Sequence, residues 1–322
     1  MNYIDVFNGD ADWLCALQQL RLSNPADSIL ITGVKRDIEL LSQVQAEAED
    51  IITVLDISLD KNRGPLVALL DQGLQIHYFD HHFAGDIPNH SNLDRHINLS
   101  AEMCTSALVN ESLDGQFAIW AIVGAYGDNM ATLAEQIAVP LNLSTEQLAV
   151  LRELGECLNY NAYGETQDDL YFKPAALSMR MRAYANPFEF VRDDTVFATL
   201  RAGYDEDMTK AAMLQPVRQT EDTAVFILPD EVWSRRVSGV FSNDLASNYP
   251  NRAHAILSHN TSGNYTVSVR APMTNKTGAD ILCRQFPSGG GRKGAAGINN
   301  LPCDILPLFY ESFEQTYNNT HK

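Results

Sequence analysis

The sequence predicts an α/β protein, with an N-terminal domain built on a parallel sheet and a smaller C-terminal α/β domain. Three observations carry this. Apolar runs of strand length alternate with stretches of helical spacing in the first quarter of the chain. Each of three such runs leads into aspartate, as strands do where a parallel sheet opens. After residue 222 a second alternating series begins, and 322 residues exceed what one hydrophobic core usually serves.

In chain order, residues 2–7 read as a strand leading into Gly9-Asp10-Ala11-Asp12, and residues 13–22 have helical spacing. Residues 28–32 form a short apolar run, and residues 37–49 read as a helix. Residues 51–55 predict a buried strand ending on Asp56, residues 61–71 a helix, and residues 74–79 a strand ending on Asp80. Residues 104–158 are mainly helical in pattern. Residues 186–222 mix proline, glycine and charge with weak periodicity, which points to an inter-domain connection. Beyond it, residues 224–228, 253–259 and 265–270 are strand-like, while 233–247, 278–286 and 305–317 are helix-like. A glycine-rich stretch at 288–297 precedes the last helix. The division expected is 1–190 for a catalytic metal-binding domain, 191–222 for a linker region and 223–322 for a substrate-binding domain.

Composition narrows the function. With 45% hydrophobic and 20% charged residues the chain is ordinary globular material, and its longest apolar stretch, 117–126, is too short for a membrane span. The five cysteines (Cys15, Cys104, Cys157, Cys283, Cys303) are scattered with no CxxC pair. That argues for a reducing compartment and against a disulfide framework or a thiolate zinc site. The N-terminus lacks the basic region of a secretory signal, so the cytoplasm is expected. A net charge of −18, from 41 acidic and 23 basic residues, would repel a long polyanion, although a local basic pocket could still hold one or two phosphates.

The chemistry-bearing residues cluster at strand ends. Asp10 and Asp12 follow the first strand, Asp56 ends the second, Asp80-His81-His82 end the third, and Asp128 follows an apolar helical stretch. Crowded carboxylates repel one another unless cations neutralise them. Oxygen and imidazole donors without thiolate suit Mn²⁺ or Mg²⁺ better than structural zinc. Two such ions could clamp the oxygens of a displaced phosphoryl group.

These motifs resemble the DHH phosphoesterase superfamily, which includes RecJ-like exonucleases, nanoRNA and cyclic-dinucleotide phosphodiesterases, and family II pyrophosphatases. The C-terminal stretch resembles the glycine loop of the DHH-associated domain, and reads Gly289-Gly290-Gly291-Arg292-Lys293-Gly294-Ala295-Ala296-Gly297. The likeness covers nearly the whole chain. It implies that Asp10, Asp56 and Asp128 bind one metal, and that Asp12, Asp56, His81 and Asp128 bind the other. It also implies that His82, beside Asp80, faces the scissile phosphate, and that Arg270 and the glycine loop (Gly289, Gly290, Gly291, Arg292, Lys293) contact substrate across a cleft between the domains. Val6 stands where many members carry a histidine, Asn8 where the RecJ-like branch carries an aspartate, and Arg292 where the loop histidine belongs. Asn8 or water is therefore expected to complete the first metal site.

The reading that follows is a cytoplasmic phosphodiesterase that uses two divalent ions, with Mn²⁺ favoured over Mg²⁺. It would hydrolyse linear dinucleotides of the pGpG or pApA type, or very short oligonucleotides, to mononucleotides. Arg292 can hold a guanine edge bidentately. Long nucleic acid and membranes are not expected partners, and a homodimer stays open. Alternatives are a single-strand exonuclease, a nucleotide 3′-phosphatase, or a nucleotide-binding sensor with weakened turnover.

Overall fold

The computed structural model describes residues 1–318. The chain divides into two compact units, Met1–Ala202 and Gly203–Lys322. In the first, strands β1 (Tyr3–Phe7), β2 (Ser28–Thr32), β3 (Ile51–Leu55), β4 (Gln75–Asp80) and β5 (Leu93–Ile97) form one sheet. Its order is β2-β1-β3-β4-β5 and every pairing is parallel. The helices are α1 (Ala11–Ser23), α2 (Leu59–Asp71), α3 (Thr105–Ser112), α4 (Ala118–Gly127), α5 (Ala131–Ala138), α6 (Thr145–Tyr160), α7 (Pro174–Met181) and α8 (Pro187–Asp193). Helix α9 (Thr195–Ala212) contains the division between the units.

Strand alternation explains why the sheet is covered on both faces. Ile4, Val6, Ile52, Val54 and Tyr78 enter one buried cluster with Leu66 and Leu70 of α2. Phe7, Leu55 and Phe79 enter the other with Trp13, Leu14 and Trp120. Asp5, inside β1, is wholly buried but accepts from Ser28 Oγ at 2.6 Å and pairs with Arg21 of α1. Its charge is compensated where it is desolvated. Strand order changes direction between β1 and β3, so the crevice at their carboxyl ends is the switch point where open α/β sheets bind ligands.

One expectation needs correction here, and two stretches take up structure the sequence did not announce. Residues 37–49 do not form a helix; a single 3₁₀ turn, Leu40–Gln43, replaces it. Asn62 of α2 takes over the backbone there, donating to the Ile38 carbonyl at 2.6 Å and accepting from the Leu41 N–H at 3.2 Å. Strand β5, sequence LDRHI, was not foreseen, because an edge strand can carry polar residues and so lacks an apolar signature. Residues 186–212, unassigned from the sequence, are largely helical, with Asn186 capping α8 through the Phe188 N–H at 2.9 Å.

The second unit has a mixed sheet of order β10-β11-β9-β8-β7-β6. Its strands are β6 (Arg218–Gln219), β7 (Thr223–Ile227), β8 (Ala253–His259), β9 (Tyr265–Arg270), β10 (Gly289–Gly291) and β11 (Ala295–Leu301). Helix α10 (Val232–Asn248) links the parallel pair β7 and β8. Helix α11 (Ala279–Cys283) is shorter than the 278–286 expected, and α12 (Leu306–Tyr317) packs Phe309, Phe313 and Tyr317 into the core. Among the described residues no disulfide joins the cysteines, and no helix is long and apolar enough to cross a membrane.

Candidate metal centre

Backbone geometry aims the acidic residues. Asp10 is the N-cap of α1, its Oδ1 accepting from the Asp12 N–H at 3.1 Å and the Trp13 N–H at 3.4 Å. Asp12, one residue into α1, is buried and reaches the start of α3. Its Oδ2 accepts from the Thr105 N–H at 2.7 Å and its Oδ1 from the Ser106 N–H at 2.8 Å. Asp12 thus satisfies orphan donors of a helix whose own N-cap, Cys104, makes no side-chain cap.

Asp56 follows β3 with φ 56°, a left-handed conformation that aspartate tolerates better than most residues. Its Oδ1 accepts from Thr105 Oγ1 at 2.9 Å and lies 3.2 Å from His81 Nε2 and 3.7 Å from His82 Nδ1. The His81 Nδ1–H donates to the Met103 carbonyl at 2.7 Å, which leaves Nε2 to face the carboxylates. Asp128 is the C-cap of α4, where a negative charge opposes the helix dipole and invites a neighbouring cation. Gly127, just before it, lets α4 approach α1: a Cβ there would collide with Ala11 and lie 2.9 Å from the Gly155 carbonyl oxygen.

Two sets of ligand atoms lie close enough to hold an ion: Asp12, His81 and Asp128, and Asp56, His81 and His82, each within 4.8 Å of one another. The donors are oxygen and imidazole, which fits a hard or borderline divalent ion. Cys15 and Cys104 are nearby, and burial, and then Asp12, push both thiols well above their usual range. Burial raises the carboxyl pKa of Asp12, Asp56 and Asp128, and neighbouring carboxylates add to it. Burial would lower the His81 pKa, yet the Asp56 hydrogen bond and the surrounding carboxylates raise it to about 10. The crevice holds excess negative charge, for which a proton and a metal ion would compete.

Asp80, fully buried at the end of β4, is turned toward its own neighbours. Its Oδ1 accepts from His82 Nδ1 at 2.8 Å and the His82 N–H at 3.0 Å, and its Oδ2 from the Leu59 N–H at 3.3 Å. It orients the half-buried His82, whose pKa burial would lower but Asp80 and Asp56 raise.

Asn8, expected with water as the filler of a metal site, donates to the Asp56 carbonyl at 3.3 Å and accepts from the Asp10 N–H at 3.2 Å. Val6 is wholly buried in the apolar core.

Four contributors escaped the sequence reading. Met103, Thr105 and Ser106 support the site from the start of α3, and Lys35, in the loop after β2, enters it. Lys35 Nζ lies 2.9 Å from Asp10 Oδ2 and 4.0 Å from Asp128 Oδ1, and donates to Asn159 Oδ1 at 2.9 Å. Burial would lower its pKa, but Asp10, Tyr163 and Asp128 together raise it well above the usual value, so it stays charged. A Thr-Ser pair opening an apolar helical stretch was the signal for the first group. A lone lysine in a polar loop gave none.

In the second unit the glycine-rich stretch is a β-hairpin, not an open loop. Gly290 pairs with Gly297 and Gly291 with Ala296, Arg292 N–H donates to the Ala295 carbonyl at 2.8 Å, and Gly289 N–H to the Phe286 carbonyl at 3.1 Å. Gly291 has φ 134°, and a Cβ there would lie 2.5 Å from Ala296 Cα. Arg292 and Lys293 are exposed at the turn. Arg270, paired with Ala295 across the sheet, donates to Asn243 Oδ1 at 2.8 Å and Ser268 Oγ at 3.0 Å.

No family model and no curated protein matches the sequence. Solved structures do match the fold. The pGpG-specific phosphodiesterase PggH from Vibrio cholerae superposes with TM-score 0.55 at 14% identity, over 98% of this chain and 99% of that one. The exonuclease RecJ bound to manganese gives TM-score 0.53 at 18% identity, over 97% and 89%. An exopolyphosphatase-related protein from Bacteroides fragilis gives TM-score 0.51 at 14% identity, over 98% and 91%. These are DHH-superfamily structures, and the fold agrees with the resemblance carried by the motifs.

Proposed function

We propose that this chain is a divalent-metal-dependent phosphodiesterase of the DHH type acting on linear dinucleotides or very short oligonucleotides. The observation that carries the reading is the convergence of Asp12, Asp56, His81 and Asp128 at the strand-end crevice, with all donors oxygen or imidazole. Such an ion, Mn²⁺ by preference, would supply Lewis-acid polarisation of the phosphoryl oxygens. Asp80 holds His82 through Nδ1, which leaves Nε2 to carry a proton toward a phosphate oxygen or the leaving group. Buried Asp12, Asp56 and Thr105 keep the donor atoms in place, so little reorganisation accompanies substrate binding. Arg270, Arg292 and Lys293 offer the second unit's basic groups for a terminal phosphate or base edge.

The likeness to a pGpG-specific enzyme and to an exonuclease supports nucleotide substrates. The net charge of −18 favours the short ones. The test is a series of 5′-phosphorylated oligonucleotides and cyclic dinucleotides at fixed salt and Mn²⁺. Efficiency should peak at the linear dinucleotide and fall with each added nucleotide. Rising kcat/KM with length would assign an exonuclease instead, and binding without turnover across the series would assign a sensor.

A further inference from the structure

We propose that Lys35 takes the place of one cation in the acidic crevice, so that the centre holds a single divalent ion beside a built-in ammonium. This rests on the metal-dependent reading above, and it concerns how many ions the site takes.

Asp10 is already satisfied. Its Oδ1 caps α1 through two backbone N–H groups, and its Oδ2 is held by Lys35 Nζ at 2.9 Å. It also belongs to neither of the ligand clusters found among the described residues. The ammonium is itself fixed from several sides: Asn159 Oδ1 accepts from it at 2.9 Å, and the Tyr163 ring lies 5.5 Å away. It reaches toward Asp128 Oδ1 at 4.0 Å, so it bridges the two carboxylates an ion at that position would need. No imidazole replaces what is lost, because Val6 is apolar and buried and both ends of the Asn8 amide are engaged.

The second argument comes from His81. Both clusters depend on this imidazole. Its Nδ1–H is spent on the Met103 carbonyl, so only Nε2 can ligate. A ring nitrogen has one lone pair in the ring plane and cannot bridge two ions, as a carboxylate can. His81 can therefore serve only one of the two sets at a time, Asp12 with Asp128 or Asp56 with His82.

The experiment is metal analysis of the folded full-length chain equilibrated with excess Mn²⁺ and then freed of unbound ion, together with electron paramagnetic resonance. The expected result is one Mn²⁺ per chain with the six-line signal of an isolated ion. Lys35→Ala should rise to two ions per chain with a spin-coupled signal, while Lys35→Arg, which keeps the charge, should stay at one. Two coupled ions in the unaltered protein would overturn the inference and leave the proposed function standing. One ion in both the unaltered protein and a folded Lys35→Ala variant would also overturn it, since Lys35 would then exclude nothing. If Lys35→Ala does not fold, the spectrum of the unaltered chain decides. One isolated ion without turnover on any substrate would instead sink the proposed function alone, and no bound ion at all would sink both.

Discussion

In the first unit Asp12, Asp56 and Asp80 are almost completely out of water, and each is bonded to backbone or side-chain donors. In the second, Arg292 and Lys293 stand exposed at a hairpin turn, and Arg270 is partly buried against Asn243 and Ser268. Desolvated, pre-bonded charges cannot reorganise cheaply, so they suit a centre that must be in position before the reaction. Solvated charges on a turn give up little when they close on a ligand, and they suit adjustable contact with a substrate. The two regions should therefore fail differently when altered: the first by losing metal and turnover, the second by losing affinity.

Asp56→Ala is the most severe test. It removes the carboxylate that His81, His82 and Thr105 all face, so kcat should fall roughly 10³-fold or more, the scale seen on losing a single electrostatic stabiliser. Bound Mn²⁺ should fall with it, while Asp27→Ala, in an exposed loop, should change neither. Normal turnover and metal content in Asp56→Ala would show that the crevice is not the centre.

Thr105→Val tests the supporting shell. It keeps the shape but removes the hydroxyl donated to Asp56, and Mn²⁺ affinity should weaken about 10–100-fold. Competition against a chromophoric chelator measures this, and unchanged affinity would mean that Asp56 is held by other groups.

Arg292→Ala should raise KM about tenfold with kcat and metal content unchanged. A loss of bound metal in this variant would erase the contrast between the two regions.

The smallest effect concerns stability. In metal-free protein the His81 pKa is raised from 6.5 to about 10, so the native state binds its proton more tightly than the unfolded chain does. The stabilisation is complete below pH 6.5 and is lost as the pH climbs toward 10. The Tm advantage over His81→Asn should accordingly shrink steadily as the pH climbs across that window. A constant difference across the window would mean that His81 is not held by its carboxylate neighbours.

Local chemistry explains what could be read from the chain alone. Strand and helix periods depend on neighbours a few residues away, so β1, α1, β3, β4, β7, β8 and β9 were legible from the chain. That Asp10, Asp56 and His81 follow strands of the sheet was legible too, because parallel strands deliver their carboxyl ends to one edge wherever they lie in the sequence. Long-range hydrogen bonding decided the rest. Residues 37–49 have helical spacing, but Asn62 offers their backbone other partners. The glycine stretch reads as a loop, yet β9 provides an edge on which it becomes a strand pair. Cys104 and its neighbours start a helix whose cap is a carboxylate 93 residues earlier, and Lys35 meets Asn159 across 124 residues. A charged side chain in a polar loop carries no sign of what it will meet. Only the folded crevice, where desolvated carboxylates must find positive charge, gives Lys35 its place.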